Sequence, residues 1–378
     1  MRLARVDASA LAPNERIKAV DAVRGVALFG VLIVNLVTEF RVSIFQQFLG
    51  STASADADRL VERIVSAGFE SKAFCLFSLL FGVGLAIQFD RLSATGRPLY
   101  WLARRLGVLL GFGLVHLLFV WNGDILTEYA LAGFIALAFL LLRRVSLLMV
   151  AAGLLVLYAV GPMLYSVPWP DAATLQAHVA SANRVYSTGT LTEIWRFSLG
   201  ELPLLASLHA WVFPRTLALF VLGILLWRVG FLKRGAEFNV PTILIAVIAI
   251  ATGAALTSAS GRVYDFLAPV PLSLGYGAAF LVLATHPLTR RLLSPFAQVG
   301  RMAFTNYLLQ SIIFSLIFFG YGLGQFGRMG ATQAFALGVA VYVAQVFSSK
   351  WWLRRYRFGP IEWLWRSLMY GVAQPFKC

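Results

Sequence analysis

The chain reads AVRGVALFGVLIVNLVTEF over residues 22–40, and this stretch decides the fold class. It is almost entirely apolar and is long enough to cross the hydrocarbon core of a bilayer, which takes about 20 residues of α-helix. The whole 378-residue chain has the same character, since 59% of its residues are hydrophobic and 13% are charged, with a mean hydropathy of +0.77. A water-soluble globule of 41.5 kDa cannot bury so much apolar side chain. The composition therefore excludes a soluble enzyme and a disordered chain.

Similar apolar runs recur along the chain, separated by short polar or basic segments. The predicted membrane spans are 22–40, 71–89, 106–122, 125–142, 146–166, 211–228, 240–258, 266–285, 297–319 and 332–349. In lipid, every backbone polar group of a span has to be bonded within the protein, and an α-helix achieves this by itself. We therefore predict an all-α polytopic membrane protein, a bundle of about ten transmembrane helices that forms one integral membrane domain over residues 1–378.

The basic residues predict the orientation of this bundle. The chain carries 32 Lys and Arg against 17 Asp and Glu, a net charge of +15. If the N-terminus is cytoplasmic, most of the basic residues fall in cytoplasmic segments, as the positive-inside rule requires. We therefore expect both termini in the cytoplasm. Because topology explains the positive charge, we expect the lipid bilayer as a partner and no nucleic acid.

The two ends of the chain carry patterns that predict how each end relates to the membrane. Residues 350–378 are basic and rich in Trp, so we predict an interfacial tail on the inner leaflet. The small residues Ala8 to Ala10 precede the first span, whereas a signal-peptide cleavage site would follow it, so this span is predicted to be a retained anchor. Cys75 and Cys378 lie far apart in the topology, and no disulfide is predicted.

Polar side chains inside the spans are few, and each is a functional candidate because a polar group in lipid is costly. Arg24 and Asn35 are eleven residues apart, as are Arg105 and His116. Eleven helical steps make three turns and about 20°, so each pair shares one helix face with about 16 Å between its members. The predicted topology places Arg24 and Arg105 at the inner interface, and Asn35 and His116 in the outer half.

More ionisable side chains fall toward the outer side by the same topology: Lys72, Asp124, Glu128, His209 and Arg215. They predict an outward-opening polar pocket that contains His116. Asn306 and Gln310 add two amides within the ninth span. We predict no metal site, because no cluster with metal-ligand spacing is present, and we find no phosphate-binding loop or nucleotide fingerprint.

Structural interpretations of these residues stay open beside the functional ones. Arg24 and Arg105 can extend to the lipid headgroups. Asn35 can join two helices by a hydrogen bond. Lys72 can serve as a topology anchor at the interface.

Acidic residues at the start of a helix and glycines within one have structural interpretations too. Asp124 and Glu128 suit the N-terminus of the fourth predicted helix. Gly107 and Gly111 form a G-x-x-x-G spacing that predicts close helix packing. His116 is harder to explain structurally, since an imidazole among apolar neighbours needs a partner.

Several stretches, spread from end to end of the chain, together resemble the YeiB family of bacterial inner-membrane proteins, defined by domain-of-unknown-function family 418. They are Asp21–Gly30 followed by Asn35, Phe74–Gly82, His116–Ala130, Gly300–Tyr307 and Phe358–Arg366. The resemblance implies a multi-pass protein of the bacterial inner membrane. The family is similar, more distantly, to transmembrane acyltransferases that modify cell-surface sugars.

The first span carries that distant similarity. The acyltransferase pattern has an Arg followed eleven residues later by His, and here Arg24 is followed by Asn35. Heparan-glucosaminide N-acetyltransferase has Asn at that place and its catalytic His in the following loop. This chain has no His between residues 41 and 70, so His116 is our candidate for the missing base.

The resemblance and the polar residues together favour an acyltransferase that moves an acyl group from cytoplasmic acyl-CoA to an extracytoplasmic or lipid-linked acceptor, a lipid or a glycan. In this hypothesis His116 is the general base, Asp124 or Glu128 tunes it, and Asn35 donates a hydrogen bond to the oxyanion. The predicted substrate-binding residues are Arg24, Arg105, Lys72, Glu128 and Asn306. Acyl-CoA enters as a substrate, and no resident cofactor is predicted.

Two other classes of function remain open. A transporter or flippase would use intramembrane Asn, His and Arg to line a substrate path or to relay protons. A non-catalytic scaffold for other membrane proteins is the third hypothesis, and it predicts that replacing Arg24, Asn35 and His116 together leaves the phenotype intact. The sequence predicts no particular oligomeric state.

Overall fold

The computed structural model describes residues 18–51, 53, 55–164, 168–234, 240–259 and 261–377. Within these residues the chain is helical, with one isolated bridge between Tyr356 and Lys377 and no β-strand. The helices are α1 Lys18–Val34, α2 Asp56–Gly68, α3 Lys72–Leu92, α4 Pro98–Phe119, α5 Leu126–Phe139, α6 Arg144–Leu164, α7 Ala172–Thr188, α8 Leu191–Arg228, α9 Phe231–Arg234, α10 Val240–Ser258, α11 Arg262–Leu267, α12 Pro269–Thr285, α13 Arg290–Arg301, α14 Ala303–Phe318, α15 Ala331–Trp352 and α16 Pro360–Tyr370. A π-helical segment, Asn35–Phe40, continues α1.

Eight helical segments of the described chain are long and apolar enough to cross a membrane, or nine if α13 and α14 together form one span. The chain is therefore an all-helical polytopic membrane protein. Within the described residues every predicted span overlaps at least one helix, and residues 165–166 at the end of the fifth predicted span lie outside them. Two of the predicted spans account for the lower count. The run 125–142 forms only α5, whose 14 residues span about 21 Å, less than the roughly 30 Å hydrocarbon core. The run 297–319 is broken by a 78° bend between α13 and α14.

Glycines allow α3 and α8 to touch along their backbones. A Cβ on Gly82 would overlap the carbonyl oxygen of Phe220, and a Cβ on Gly223 would overlap that of Leu79. Contacts of this kind are typical of membrane helices, where van der Waals packing drives association. They fix the position of α8, the longest helix, against α3.

The predicted close packing at Gly107 and Gly111 is wrong. Both glycines lie on an exposed face of α4, and a Cβ at either would meet no other part of the described chain. Close helix contacts instead form at glycines that the G-x-x-x-G pattern does not mark. On α1 and α13, Gly25 faces the carbonyl of Phe296 and Gly300 faces that of Asp21.

The C-terminal tail lies partly inside the bundle. Trp351 is exposed, with the guanidinium of Arg355 at 4.4 Å from its ring. Trp365 of α16 is buried and donates to the carbonyl of Arg105 at 2.9 Å. Glu362 accepts hydrogen bonds from the first N–H groups of α14 at 2.8 and 3.0 Å and caps that helix at the bend.

The bundle has two chemically different ends. The end where the π-segment finishes and where α3, α5 and α12 begin holds a large cavity, and we call it the cavity end. The opposite end holds Arg24, Arg105 and Arg228, and we call it the arginine end. Cys75 is buried and free in α3, whereas Cys378 lies outside the described residues.

Candidate functional site

A cavity of about 750 Å³ opens between helices at the cavity end. Its walls are partly aromatic, from Phe48, Phe74, Tyr129, Tyr158, Trp211 and Phe266. Its charged walls include Glu39, Glu70, Glu128, His209, Arg215 and the ion pair between Arg41 and Glu62, which are 2.6 Å apart. A largely apolar pocket of this size with a few convergent polar groups has the character of a ligand site.

Glu128 and His209 form the central polar pair of this cavity. Nδ1 of His209 lies 2.5 Å from Oε2 of Glu128, and the hydroxyl of Thr216 donates to Oε1 at 2.5 Å. His209 and Thr216 are seven residues apart on α8, two turns along one face, so both reach the same carboxylate. Glu128 lies in the first turn of α5, where the helix dipole favours a negative charge.

The second ring nitrogen of His209 is available for chemistry. Its Nε2 makes no hydrogen bond to any part of the chain that the structure describes, and its side chain is about one-third exposed. An imidazole that is held through Nδ1 by a carboxylate and is free at Nε2 can accept a proton there. This is the arrangement that a general base requires.

Glu39 reaches the cavity from the π-segment at the end of α1. A π-turn inserts an extra residue into a helix and changes the direction of the following side chains, and such turns are frequent at functional sites. Glu39 lines the cavity and lies within electrostatic range of His209. Glu39 is therefore part of the site, although it is not one of the eight site residues predicted from the sequence.

His116 and Asp124 form a separate pair, and neither residue is among those that line the cavity. Nδ1 of His116 lies 2.8 Å from Oδ1 of Asp124, and both side chains are almost fully buried. The other oxygen of Asp124 accepts the backbone N–H of Thr127 at 2.7 Å and so caps α5. Nε2 of His116 is buried with no hydrogen-bond partner among the described residues, and its ring lies 5.4 Å from that of Tyr307.

The other predicted site residues are dispersed. Asn35 is buried where the π-segment begins, and Lys72 donates to the carbonyl of Ser66 at 2.9 Å. Asn306 is buried between α14 and α15 and donates to Ser349 at 3.0 Å, as expected of a helix-joining amide.

The two predicted donor-binding arginines lie at the arginine end, and each has a partner within the chain. Arg24 pairs with Asp21 at 3.0 Å. The guanidinium of Arg105 lies 3.5 Å from the centre of the Trp365 ring, a cation–π contact. Of the eight predicted site residues, only Glu128 is among those that line the cavity in the described chain.

The sequence signals for the remaining cavity residues were uneven. His209 and Arg215 are polar residues near the start of the sixth predicted span, and both line the cavity. Glu39 carries a charge inside the first apolar run, which is a sufficient signal by itself. Tyr158 and Trp211 had no signal, because aromatic residues are common throughout this chain.

A third histidine belongs to a neighbouring buried network. Nε2 of His178 lies 2.8 Å from Glu201, which also accepts from Asn122 at 2.8 Å and from the hydroxyl of Tyr186. This network joins α7 and α8 to the turn that carries Asp124. Within the described residues, no group of three His, Cys, Asp or Glu side chains is arranged to hold a metal ion.

Comparison with known proteins identifies the family. The chain is 34% identical over 390 residues to "Uncharacterized protein YxaH" of Bacillus subtilis, a match that covers 96% of both chains. It is 30% identical over 402 residues to "Uncharacterized protein YeiB" of Escherichia coli, covering 96% of this chain and 98% of the relative. The chain belongs to the YeiB family. The family model "Protein of unknown function (DUF418)" matches residues 216–372, which include Thr216 but neither Glu128 nor His209.

A third relative of similar length comes from a further Bacillus species. It is "Uncharacterized 39.9 kDa protein in amylase 3'region" of Bacillus acidopullulyticus, 29% identical over 374 residues, with 97% of both chains covered. No solved structure matches the chain. The resemblance noted in the sequence is therefore confirmed at the level of the YeiB family.

Proposed function

We propose that this YeiB-family protein is a transmembrane acyltransferase that moves an acyl group from cytoplasmic acyl-CoA to an extracytoplasmic or lipid-linked acceptor. The observation that carries the proposal is the geometry of His209. This imidazole is held through Nδ1 by Glu128, is free at Nε2, and lines a cavity large enough for a small molecule or a lipid headgroup. In this proposal His209, rather than His116 as the sequence alone predicts, is the general base.

The proposed reaction transfers the acyl group from the thioester sulfur to an oxygen or nitrogen of the acceptor. The acceptor O–H or neutral N–H gives its proton to Nε2 of His209 while its oxygen or nitrogen bonds to the thioester carbonyl carbon. The C–S bond then breaks, and the thiolate leaves with that proton as coenzyme A. Glu128 fixes the tautomer of His209 and stabilises the imidazolium, and Thr216 holds the carboxylate in place.

The two chemically different ends of the bundle suit two substrates that enter from opposite sides. The acyl donor carries its phosphates at one end of a long, thin arm and its thioester at the other. Phosphates bound near the arginine end would leave the thioester to enter the bundle toward His209. The acceptor would enter through the cavity end, so the two substrates need not share one entrance.

The test uses purified full-length protein in lipid nanodiscs with radiolabelled acetyl-CoA and a bacterial total-lipid extract as acceptor. Label should pass to the lipid fraction, and His209→Gln should reduce the rate about 100- to 10,000-fold, the usual contribution of a general base. His178→Gln is the matched control. His178 is also bonded to a glutamate but is not among the residues that line the cavity.

Two results would contradict the proposal. One is wild-type protein that transfers no label to the lipids or to an added panel of amino sugars. The other is an equal loss of transfer in His209→Gln and His178→Gln, because the loss would then reflect packing rather than proton transfer.

A transporter is the second candidate, and interrupted helices around the cavity favour it. The π-segment at Glu39 and the proline at Pro214 of α8 both interrupt regular helix beside the cavity, and broken helices mark substrate sites in many transporters. Counterflow of a labelled substrate in proteoliposomes, in the absence of acyl-CoA, would support transport. Strict dependence of lipid labelling on acyl-CoA would support the acyltransferase.

A further inference from the structure

A second part of the cavity wall carries hydrogen-bond donors that have no acceptor. Trp211 and Arg215 both line the cavity and are four residues apart on α8. Residues at this spacing lie one above the other on a helix face. The two side chains therefore lie on the same side of the cavity.

The guanidinium of Arg215 is buried, yet it forms no ion pair. The residue is 8% exposed. Its Nη1 donates to the hydroxyl of Tyr158 at 3.3 Å, whereas Nε is buried without a hydrogen-bond partner. No carboxylate in the described chain lies within 4.0 Å, and the nearby Glu128 already bonds His209 and Thr216. A buried cation without a paired anion is costly, so this arrangement calls for an anion from elsewhere.

Trp211 adds a further unused donor. Its Nε1 is buried and has no hydrogen-bond partner in the described chain. An indole nitrogen is a donor and cannot accept, so only an acceptor can satisfy it. The ring is held by Tyr158 and Phe266, whose centroids lie 5.8 and 4.9 Å away. Buried donors are normally bonded, so two of them on one helix face indicate a place for oxygen atoms.

We propose that Trp211 and Arg215 form a subsite for the phosphate group of an amphiphilic ligand bound in the cavity. Nε and Nη2 share one edge of the guanidinium plane and match two oxygens of a phosphate, and the indole donor can take a third. The aromatic walls contributed by Phe74 and Phe266 suit the apolar part of such a ligand. Calling this ligand the acceptor substrate rests on the proposed function, whereas the subsite itself does not.

Binding by the purified full-length protein in detergent tests the subsite directly. The probes are dihexanoyl phosphatidic acid, the uncharged dihexanoylglycerol and inorganic phosphate, each titrated by calorimetry. We expect wild-type protein to bind phosphatidic acid more tightly than dihexanoylglycerol. Arg215→Gln should weaken this binding about 10- to 100-fold, and Trp211→Phe about 2- to 10-fold, as expected for a charged and a neutral donor.

Matched variants separate the subsite from folding and from catalysis. Arg196→Gln removes an exposed arginine from the same helix outside the cavity and should bind as wild type does. Arg215→Lys keeps the positive charge but lacks the planar pair of donors on the guanidinium. It should therefore bind more weakly than wild type and more tightly than Arg215→Gln. The melting temperature of each variant is measured before titration, and Trp211→Phe keeps the test decisive if Arg215→Gln fails to fold.

The results distinguish the sources of the phosphate and the failure of each proposal. Binding of inorganic phosphate that also depends on Arg215 assigns the subsite to a free phosphate, and binding of phosphatidic acid alone assigns it to a lipid headgroup. Equal binding of phosphatidic acid and dihexanoylglycerol, or unchanged binding in both Arg215→Gln and Trp211→Phe, would overturn the subsite. His209→Gln should bind phosphatidic acid normally. If this variant loses acyl transfer but keeps binding, the defect lies in catalysis and not in the subsite.

Discussion

Carboxylates decide how three of the histidines are held. The pairs are His116 with Asp124, His178 with Glu201 and His209 with Glu128. Each imidazole uses one ring nitrogen for its carboxylate, so the local chemistry of the three is similar. Their surroundings differ, because His209 lines the large cavity whereas His116 is 1% exposed. Access to the cavity, rather than the pairing itself, separates a candidate base from a buried structural pair.

The two histidines should respond differently to substitution. His116→Gln leaves the buried carboxylate of Asp124 without its imidazole partner, which should lower the free energy of unfolding by about 1–3 kcal/mol. His209 is partly exposed, so His209→Gln should lower it less. Chemical denaturation in mixed micelles measures both. If His116→Gln instead keeps full stability and abolishes acyl transfer, His116 is the base, as the sequence alone predicts.

One helix supplies much of the polar cavity wall. His209, Trp211, Arg215 and Thr216 all belong to the middle of α8, and Pro214 lies among them. Proline removes a backbone donor from the helix, so the regular ladder is interrupted where these side chains are presented. The position of α8 in turn depends on its backbone contact with α3 at Gly82 and Gly223.

Adding one methyl group at that contact should disturb the bundle. Gly82→Ala places a Cβ against the carbonyl of Phe220, so the helices must move apart, which should cost about 1–3 kcal/mol. Gly84→Ala is the matched control two residues along α3, where a Cβ meets open space and alanine favours the helix. Thermal unfolding in detergent should show a lower melting temperature for Gly82→Ala alone. Equal melting temperatures would contradict the contact.

Basic residues are distributed unevenly along the axis of the molecule. Most of the arginines lie toward one end of the bundle, whereas the cavity at the other end is lined by arginines and glutamates in equal number. The positive-inside rule therefore predicts that the arginine end faces the cytoplasm and that the cavity opens outward. This orientation is a prediction, and the acyltransferase proposal requires it, since the donor and the acceptor approach from opposite sides.

Cysteine labelling of intact cells measures the orientation. In a background that carries Cys75→Ala and Cys378→Ala, Gln47→Cys lies at the exposed cavity end and Ser93→Cys in the exposed turn after α3. A membrane-impermeant maleimide should label Gln47→Cys in intact cells and Ser93→Cys only after lysis. The reverse pattern would place the cavity on the cytoplasmic side and contradict the proposed direction of transfer.

The sequence predicts most of the helices, but it does not predict which residues come together in the site. Within the described residues, each apolar run that the sequence marks is mainly helical, because hydropathy and length act locally. The eleven-residue spacings place Asn35 and His116 on helix faces, but they do not state which helix lies opposite. The charge of Glu39 within the apolar run marks it as a candidate, but its direction toward the cavity depends on a π-turn, which no pattern in the run predicts.

The sequence by itself determined an all-helical membrane protein of the YeiB family and its main polar residues, because lipid rewards long apolar helices and penalises each polar group within them. Only the tertiary structure decided that Glu128 meets His209 and Thr216 rather than His116. It also decided that Trp211 and Arg215 share one cavity wall. The physical reason is that contacts between side chains of different helices depend on how closely those helices pack. Small residues elsewhere in the chain set that packing distance.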